Sequence, residues 1–209
     1  MKSYLTISEL SKKIKGHTVL DNINLTVDSG KIYGFKGING SGKTMLLRAI
    51  LALIKTTGSI EIKGEPVTLS KPFPVSVGVL IENPSLITEF SAVKNLSLIA
   101  SLQTDTTEKD IVDTLLLVGL DPTDTRKVKK YSLGMKQKLG LAQAFLGNNE
   151  LLVLDEPTNA LDSKSVAHLK IVLKNFAKEG KTILLTCHDA AFIDDVADEM
   201  FELEAGKLL

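Results

Sequence analysis

The stretch Gly37-Ile38-Asn39-Gly40-Ser41-Gly42-Lys43-Thr44 has the residue types and spacing needed to grip a polyphosphate. It fits G-x-x-x-x-G-K-[ST]. Glycines let backbone N–H groups close on phosphate oxygens with no Cβ in the way. Lys43 brings a charge that can reach the β- and γ-phosphates, and the Thr44 hydroxyl can ligate Mg²⁺. A helix starting here points its positive end at the same anion.

A second group follows at Asp155 and Glu156, at the end of the apolar run Leu151-Leu152-Val153-Leu154. Asp155 is placed to hold Mg²⁺, and Glu156 to accept the proton of an attacking water. Two acids capping a strand before Pro157 would be the plain structural alternative. The carboxyl end of a strand favours a ligand site. A third group is Ser132-Leu133-Gly134-Met135-Lys136, where a hydroxyl, a glycine N–H and a helix start could bind another anion. Taken alone, this stretch reads as an ordinary capped helix. With it, the chain carries two phosphate-binding helix starts but one lysine-and-metal set. That count suggests a head-to-tail dimer, each nucleotide lying between one copy's 37–44 loop and the other's 132–136 segment.

Strands and helices must hold these groups. Lys31-Ile32-Tyr33-Gly34-Phe35 reads as a buried strand entering the glycine loop. Leu46, Ala49, Ile50, Leu53 and Ile54 mark one face of a helix over 43–55, stopped by Thr57-Gly58. Residues 3–35 read as β-structure, with turns at Lys15-Gly16-His17 and Asp28-Ser29-Gly30. Another strand follows over 59–63, and a buried one over 75–81. From Glu82 to Gly147 the pattern becomes helical, with helices near 91–102, 107–119 and 133–146. Apolar strands then resume at 151–154 and 182–186 around a helix capped by Asp162, before a short helix over 190–196 and a hairpin at Ala205-Gly206. Strand–helix alternation of this kind gives an α/β fold with a mainly parallel sheet. We expect one domain over 1–209, in which 1–82 and 148–209 form the core with its β-subdomain and 83–147 a helical insertion.

Composition narrows the class. Lys and Arg number 25, as do Asp and Glu, which argues against a duplex nucleic-acid binder. The single Cys187 excludes an internal disulfide and a multi-cysteine zinc site. No apolar run reaches the length of a membrane span, and Met1-Lys2-Ser3-Tyr4 offers no leader core. A soluble, cytoplasmic chain that meets a membrane only through a partner is expected. His17 and His168 read as surface residues, and Cys187 as a small core side chain.

Order and spacing together give a resemblance over essentially the whole length to the ATP-binding subunits of ABC transporters. Gly37 to Thr44 is similar to Walker A, and Leu151 to Glu156 to Walker B. Tyr131 to Leu139 resembles the family's signature segment in an S-x-G-x-K form. Asn159-Ala160-Leu161-Asp162 resembles the D-loop, and Thr186-Cys187-His188 the switch strand. The resemblance implies a P-loop NTPase core with an N-terminal antiparallel β-subdomain and an inserted helical subdomain. ATP and Mg²⁺ would be the cofactors. Glu156 would be the catalytic carboxylate, and His188 would hold the γ-phosphate. Asp162 would communicate between copies of an ATP-dependent homodimer, or of a heterodimer with a related subunit. The helical insertion would meet an integral membrane subunit, placing the chain at the inner face of the cell membrane.

Three positions depart from the family's pattern. Ile14 stands where many members stack an aromatic ring on adenine, which implies a weaker apolar contact. Glu82, in Ile81-Glu82-Asn83-Pro84, stands where a glutamine is usual; this form resembles bacitracin- and lantibiotic-type exporters. As a third acid beside Asp155 and Glu156 it would favour metal or proton uptake. Lys36 stands at a usually apolar strand position, and its amine is expected to snorkel to the surface. An ATP-hydrolysing subunit of an exporter is the resulting expectation. The alternatives are a regulatory or interaction subunit with weak hydrolysis, and a soluble ABC-type ATPase without a transport role.

Overall fold

A computed structural model describes residues 3–209. The amino-terminal reading at Met1 and Lys2 lies outside them. Two sheets and six α-helices make up the described chain. The first sheet is antiparallel, ordered β2-β1-β4-β5, from β1 (Leu5–Ile14), β2 (His17–Val27), β4 (Thr57–Ile62) and β5 (Glu65–Pro66). β1 and β2 alternate buried and exposed residues, as strands with one covered face do. Lys15 and Gly16 join them with positive φ of 48° and 84°, the two-residue turn whose twist matches the strands.

The second sheet has the order β10-β9-β3-β8-β7-β6. Its strands are β3 (Ile32–Lys36), β6 (Val77–Leu80), β7 (Leu151–Asp155), β8 (Thr182–Thr186), β9 (Glu199–Glu204) and β10 (Lys207–Leu208). All neighbours run parallel except the β9–β10 hairpin. β7 and β8 are buried at every residue, as a central strand covered on both faces requires. Their carboxyl ends, with that of β3, form one edge of the sheet.

The helices are α1 (Lys43–Ile50), α2 (Ala92–Ala100), α3 (Glu108–Leu117), α4 (Leu133–Phe145), α5 (Ser163–Lys178) and α6 (Ala190–Val196). Thr107 and Asp110 form a reciprocal capping box on α3. One hydrophobic cluster joins α2, α3 and α4 to α5, α6 and one face of the parallel sheet, through residues such as Leu96, Leu115, Leu139, Leu152, Leu173 and Leu185. A second cluster, with Leu46, Phe35, Val153 and Leu25, packs the other face against α1 and the antiparallel sheet. The core sheet is thus gripped from both sides, which fixes its carboxyl edge.

α1 ends at Ile50, earlier than the expected 55. Ala52 adopts φ 52°, while the N–H groups of Ala52 and Leu53 donate to the carbonyls of Ala49 and Arg48. That bonding closes a helix in the manner usually marked by glycine. The apolar Leu53 and Ile54 continue the helical period beyond this stop. Lys36 does reach solvent, where its amine pairs with Glu202 at 3.3 Å.

Candidate nucleotide-binding site

The glycine loop runs from the end of β3 to the start of α1. Gly37 has φ 151°, and a Cβ there would collide with the Leu203 carbonyl and the Ser41 hydroxyl. Only glycine lets the loop lie this close to the β9–β10 hairpin. The Gly206 N–H donates to the Ser41 carbonyl at 2.9 Å, fastening the loop to that hairpin. Lys43 is buried, and its amine donates to the carbonyls of Gly37 at 2.7 Å and Ile38 at 3.1 Å. An ammonium has three donors, so one remains for a ligand. The Ser41 hydroxyl is buried without a hydrogen-bond partner. An orphaned donor inside a glycine cradle fits a loop built to receive oxygen atoms.

The loop opens on a cleft of about 420 Å³ lined by Asn39, Gly40, Gly42, Lys43, Thr44, Asp155 and Glu156, with Ile14, Val19 and Met45. Ile14 lines the same cleft, with its side chain partly exposed at the end of β1.

Asp155 sits at the end of β7 and is only 3% exposed. One carboxylate oxygen accepts from the Thr44 hydroxyl at 2.8 Å and the other from the Thr186 hydroxyl at 2.5 Å. Thr186 also accepts from the Glu156 N–H at 3.1 Å. Glu156 leaves the strand with φ 51°, a left-handed conformation that costs about 1 kcal/mol or more and clusters at functional sites. Its carboxylate accepts from the His188 N–H at 3.1 Å and lies 2.6 Å from His188 Nδ1. Hard oxygen donors at Thr44 and Asp155 suit Mg²⁺, and the glycine cradle beside them suits its phosphates.

Glu82 does not join these acids. Its carboxylate pairs with the Arg48 guanidinium at 2.9 Å. Among the described residues no three His, Cys, Asp or Glu side chains gather as a metal cluster. The expected three-acid group is therefore corrected. An available cation on α1 attracts Glu82, whereas Asp155 and Glu156 repel it.

The segment 132–136 lies elsewhere. None of its residues lines the cleft of the glycine loop. Ser132 caps α4, accepting from the Met135 N–H at 3.2 Å. Leu133 is 75% exposed, and Met135 and Lys136 are half-buried. A Cβ on Gly134 would press on the Ala160 carbonyl at 2.8 Å, so this glycine lets α4 start against the 159–162 turn. Asp162 caps α5 by accepting from the Ser165 N–H at 2.7 Å. Those Ser165 contacts hold its carboxyl below the usual range.

Two residues that sequence patterns had not singled out as site residues knit these regions. Thr186 ties Asp155 to Glu156 from within a fully buried strand. Gln137, 6% exposed on α4, donates to the carbonyls of Glu156 at 3.3 Å and Pro157 at 3.1 Å. A buried polar residue on the inward face of an apolar helix was the signal for the latter. Cys187 is a core residue, as expected: its sulfur lies 3.4 Å from the Thr158 hydroxyl, and burial pushes its thiol up. His168 is exposed yet bonded through Nε2 to the Leu117 carbonyl at 2.8 Å, joining α5 to α3.

Comparison with known proteins gives the family. Residues 20–159 match the family model described as ABC transporter. An uncharacterized ABC transporter ATP-binding protein of Bacillus subtilis, YybJ, is 45% identical over 205 residues, covering 98% of this chain and 94% of that one. The lantibiotic transport ATP-binding protein SrtF of Streptococcus pyogenes is 35% identical over 206 residues, covering 98% and 89%. The bacitracin transport ATP-binding protein BcrA of Bacillus licheniformis is 37% identical over 212 residues, covering 100% and 69%. In fold, the chain superposes on the bacterial ABC transporter cassette MJ0796, solved as a dimer, with a TM-score of 0.90, 24% identity and coverage of 98% and 96%. With the family model matched over residues 20–159 and a relative 45% identical over nearly its whole length, the chain belongs to the ABC transporter ATP-binding family.

Proposed function

We propose that this chain hydrolyses ATP to energise a membrane exporter, working as a dimer whose two nucleotides are each shared between copies. One observation carries the proposal: the cleft holds Lys43, Thr44, Asp155 and Glu156, while the second anion-binding helix start at 132–136 lies outside it. A single copy thus offers half of each site at two separate places, which head-to-tail pairing would join.

In this reading the loop N–H groups and Lys43 bind the phosphates. Thr44 and Asp155 would hold Mg²⁺, whose positive charge would offset that of the phosphates. Glu156 accepts the proton of the attacking water, and His188, bonded to it, orients that carboxylate toward the γ-phosphate. Ile14 gives adenine an apolar contact rather than a ring to stack on. Ser132, Gly134 and the start of α4 meet the γ-phosphate of the partner's nucleotide. Asp162, fixed at the start of α5 two residues after Ala160, carries movement across the dimer.

No helix among the described residues is long and apolar enough to cross a membrane, so coupling would pass through a separate integral subunit meeting the helical region 83–147. The names of the lantibiotic and bacitracin relatives support transport of this kind. A location at the cytoplasmic face of the membrane follows from that partnership.

The test is the purified chain's Mg²⁺-dependent ATPase activity against protein concentration. The proposal expects specific activity to rise with concentration. Constant specific activity over the range in which the chain changes from monomer to dimer would refute the shared site. Co-purification with an integral membrane protein tests the transport role, and its absence from detergent-extracted native membranes would contradict that role.

A further inference from the structure

A second cavity, of about 360 Å³, lies between the helical region and α5 of the core. It shares no lining residue with the cleft of the glycine loop. Its walls are apolar: Leu117 from the end of α3, Leu141 and Phe145 from α4, Leu161 from the 159–162 turn, and Leu169 and Val172 from α5. The bond from His168 to the Leu117 carbonyl joins two of its lining residues across the α5–α3 boundary. Lys138 and Lys164 bring positive charge to the same cavity. α3 stops at Gly119, whose φ is 72°, the usual glycine stop. A Cβ on Gly119 would lie 3.6 Å from Lys138 Nζ, so the amine rests over the end of that helix. Lys138 is half-buried, and a charge withdrawn from water ordinarily finds a partner. Among the described residues neither lysine forms an ion pair. The acids lining this cavity and the neighbouring one are engaged elsewhere. Asp162 accepts from the Ser165 N–H at 2.7 Å, Asp121 accepts from the Thr123 N–H at 2.8 Å, and Asp124 pairs with Arg126 at 2.8 Å. The first turn of α5, with Lys164 and Ser165, adds the positive end of a 16-residue helix.

We propose that this cavity binds a small amphipathic carboxylate, with its apolar body between α4 and α5 and its carboxylate at Lys138 and Lys164. Ligand cavities of roughly 300–1,000 Å³ combine apolar walls with a few polar groups in this way. The volume here is near the lower end, which limits the body to a medium acyl chain or a single aryl ring. A wholly polar anion would leave the apolar walls uncovered, and a neutral hydrocarbon would leave Lys138 unpaired. A carboxylate with an apolar body satisfies both. The occupant would touch α3 and α4 of the helical region on one side and α5 on the other. It would also touch Leu161, which stands between Ala160 and Asp162 in the turn assigned above to carry movement across the dimer. Occupancy would therefore regulate turnover, and that consequence alone rests on the shared-site reading.

The experiment titrates octanoate into the full chain without nucleotide and follows the Leu, Ile and Val methyl groups by proton–carbon NMR. A parallel titration with octanamide supplies the uncharged counterpart. Saturable shifts are expected at Leu141, Leu161, Leu169 and Val172, with octanoate bound about two- to fivefold more tightly than octanamide. Lys138→Met should erase most of that preference and leave octanamide binding as it was. Ser165→Trp puts a ring into the cavity while keeping the backbone N–H that Asp162 accepts, and should abolish binding of both. In the parent chain, no saturable shift at those methyls would overturn the proposal. So would shifts of equal size at the exposed Leu53 and Leu102, or equal affinity for octanoate and octanamide. These readouts decide the matter even if a variant fails to fold. Because no nucleotide is present, failure here leaves the shared nucleotide site untouched, and constant specific ATPase activity would leave this cavity's binding untouched.

Discussion

The two helix starts proposed to bind anions are built in opposite ways. At α1 the loop is clamped by the β9–β10 hairpin, its lysine is buried and bonded twice, and its threonine is tied to Asp155. At α4 the start is a single serine cap with an exposed leucine beside it. The first is preorganised by one chain. The second is a surface tied inward through Gln137 and the close approach of Gly134 to Ala160. The proposed shared site, forming and dissolving with each turnover, would suit this asymmetry: the half that would hold the nucleotide is rigid, and the half that would dock is open to solvent.

The largest effect should come from the rigid half. Glu156→Gln keeps the shape of the side chain but removes the proton acceptor, so ATP turnover should fall by about 10²- to 10⁴-fold with nucleotide binding retained. Single-turnover phosphate release alongside equilibrium ATP binding measures both, and undiminished turnover would remove Glu156 from catalysis. A smaller effect is expected from Thr186→Val, which preserves volume but strips the donor to Asp155 and the acceptor for the Glu156 N–H. A loss of about 1–3 kcal/mol in urea unfolding should follow. A change within the error of the urea fit would mean that the buried network contributes little to the rigid half. The smallest effect belongs to the edge of the cleft. Ile14→Tyr supplies a ring where adenine is expected and should tighten ATP by several-fold, in line with about 0.5–1.5 kcal/mol for aromatic contacts. Isothermal titration showing no gain would place adenine elsewhere.

Most of this arrangement was legible in the sequence, and the parts that were not share a cause. The Gly37–Thr44 pattern, the apolar run into Asp155 and the Thr107 capping box are local, and each formed where its residue types required. The end of α1 was misplaced because Ala52 adopts the conformation that glycine normally advertises. Thr186, Gln137 and Arg48 act through partners 31, 20 and 34 residues away in the chain (186 − 155, 157 − 137 and 82 − 48). Such contacts depend on which strand lies beside which, and periodicity carries no trace of that. Glu82 shows it most plainly. Its type and position were readable, yet its pairing required knowing that Arg48 leans over the end of β6.

The central claim is that each nucleotide is completed by two copies, and mixing two disabled variants tests it most directly. Lys43→Ala loses the loop's grip but keeps a sound 132–136 segment. A chain carrying Ser132→Arg has the reverse defect. Each alone should be inactive. Mixed in equal amounts and exchanged, half of the dimers hold one intact composite site out of two, so about a quarter of the parent ATPase activity should return. A mixture no more active than its separate components, under conditions where mixed dimers are shown to form, would contradict the shared site.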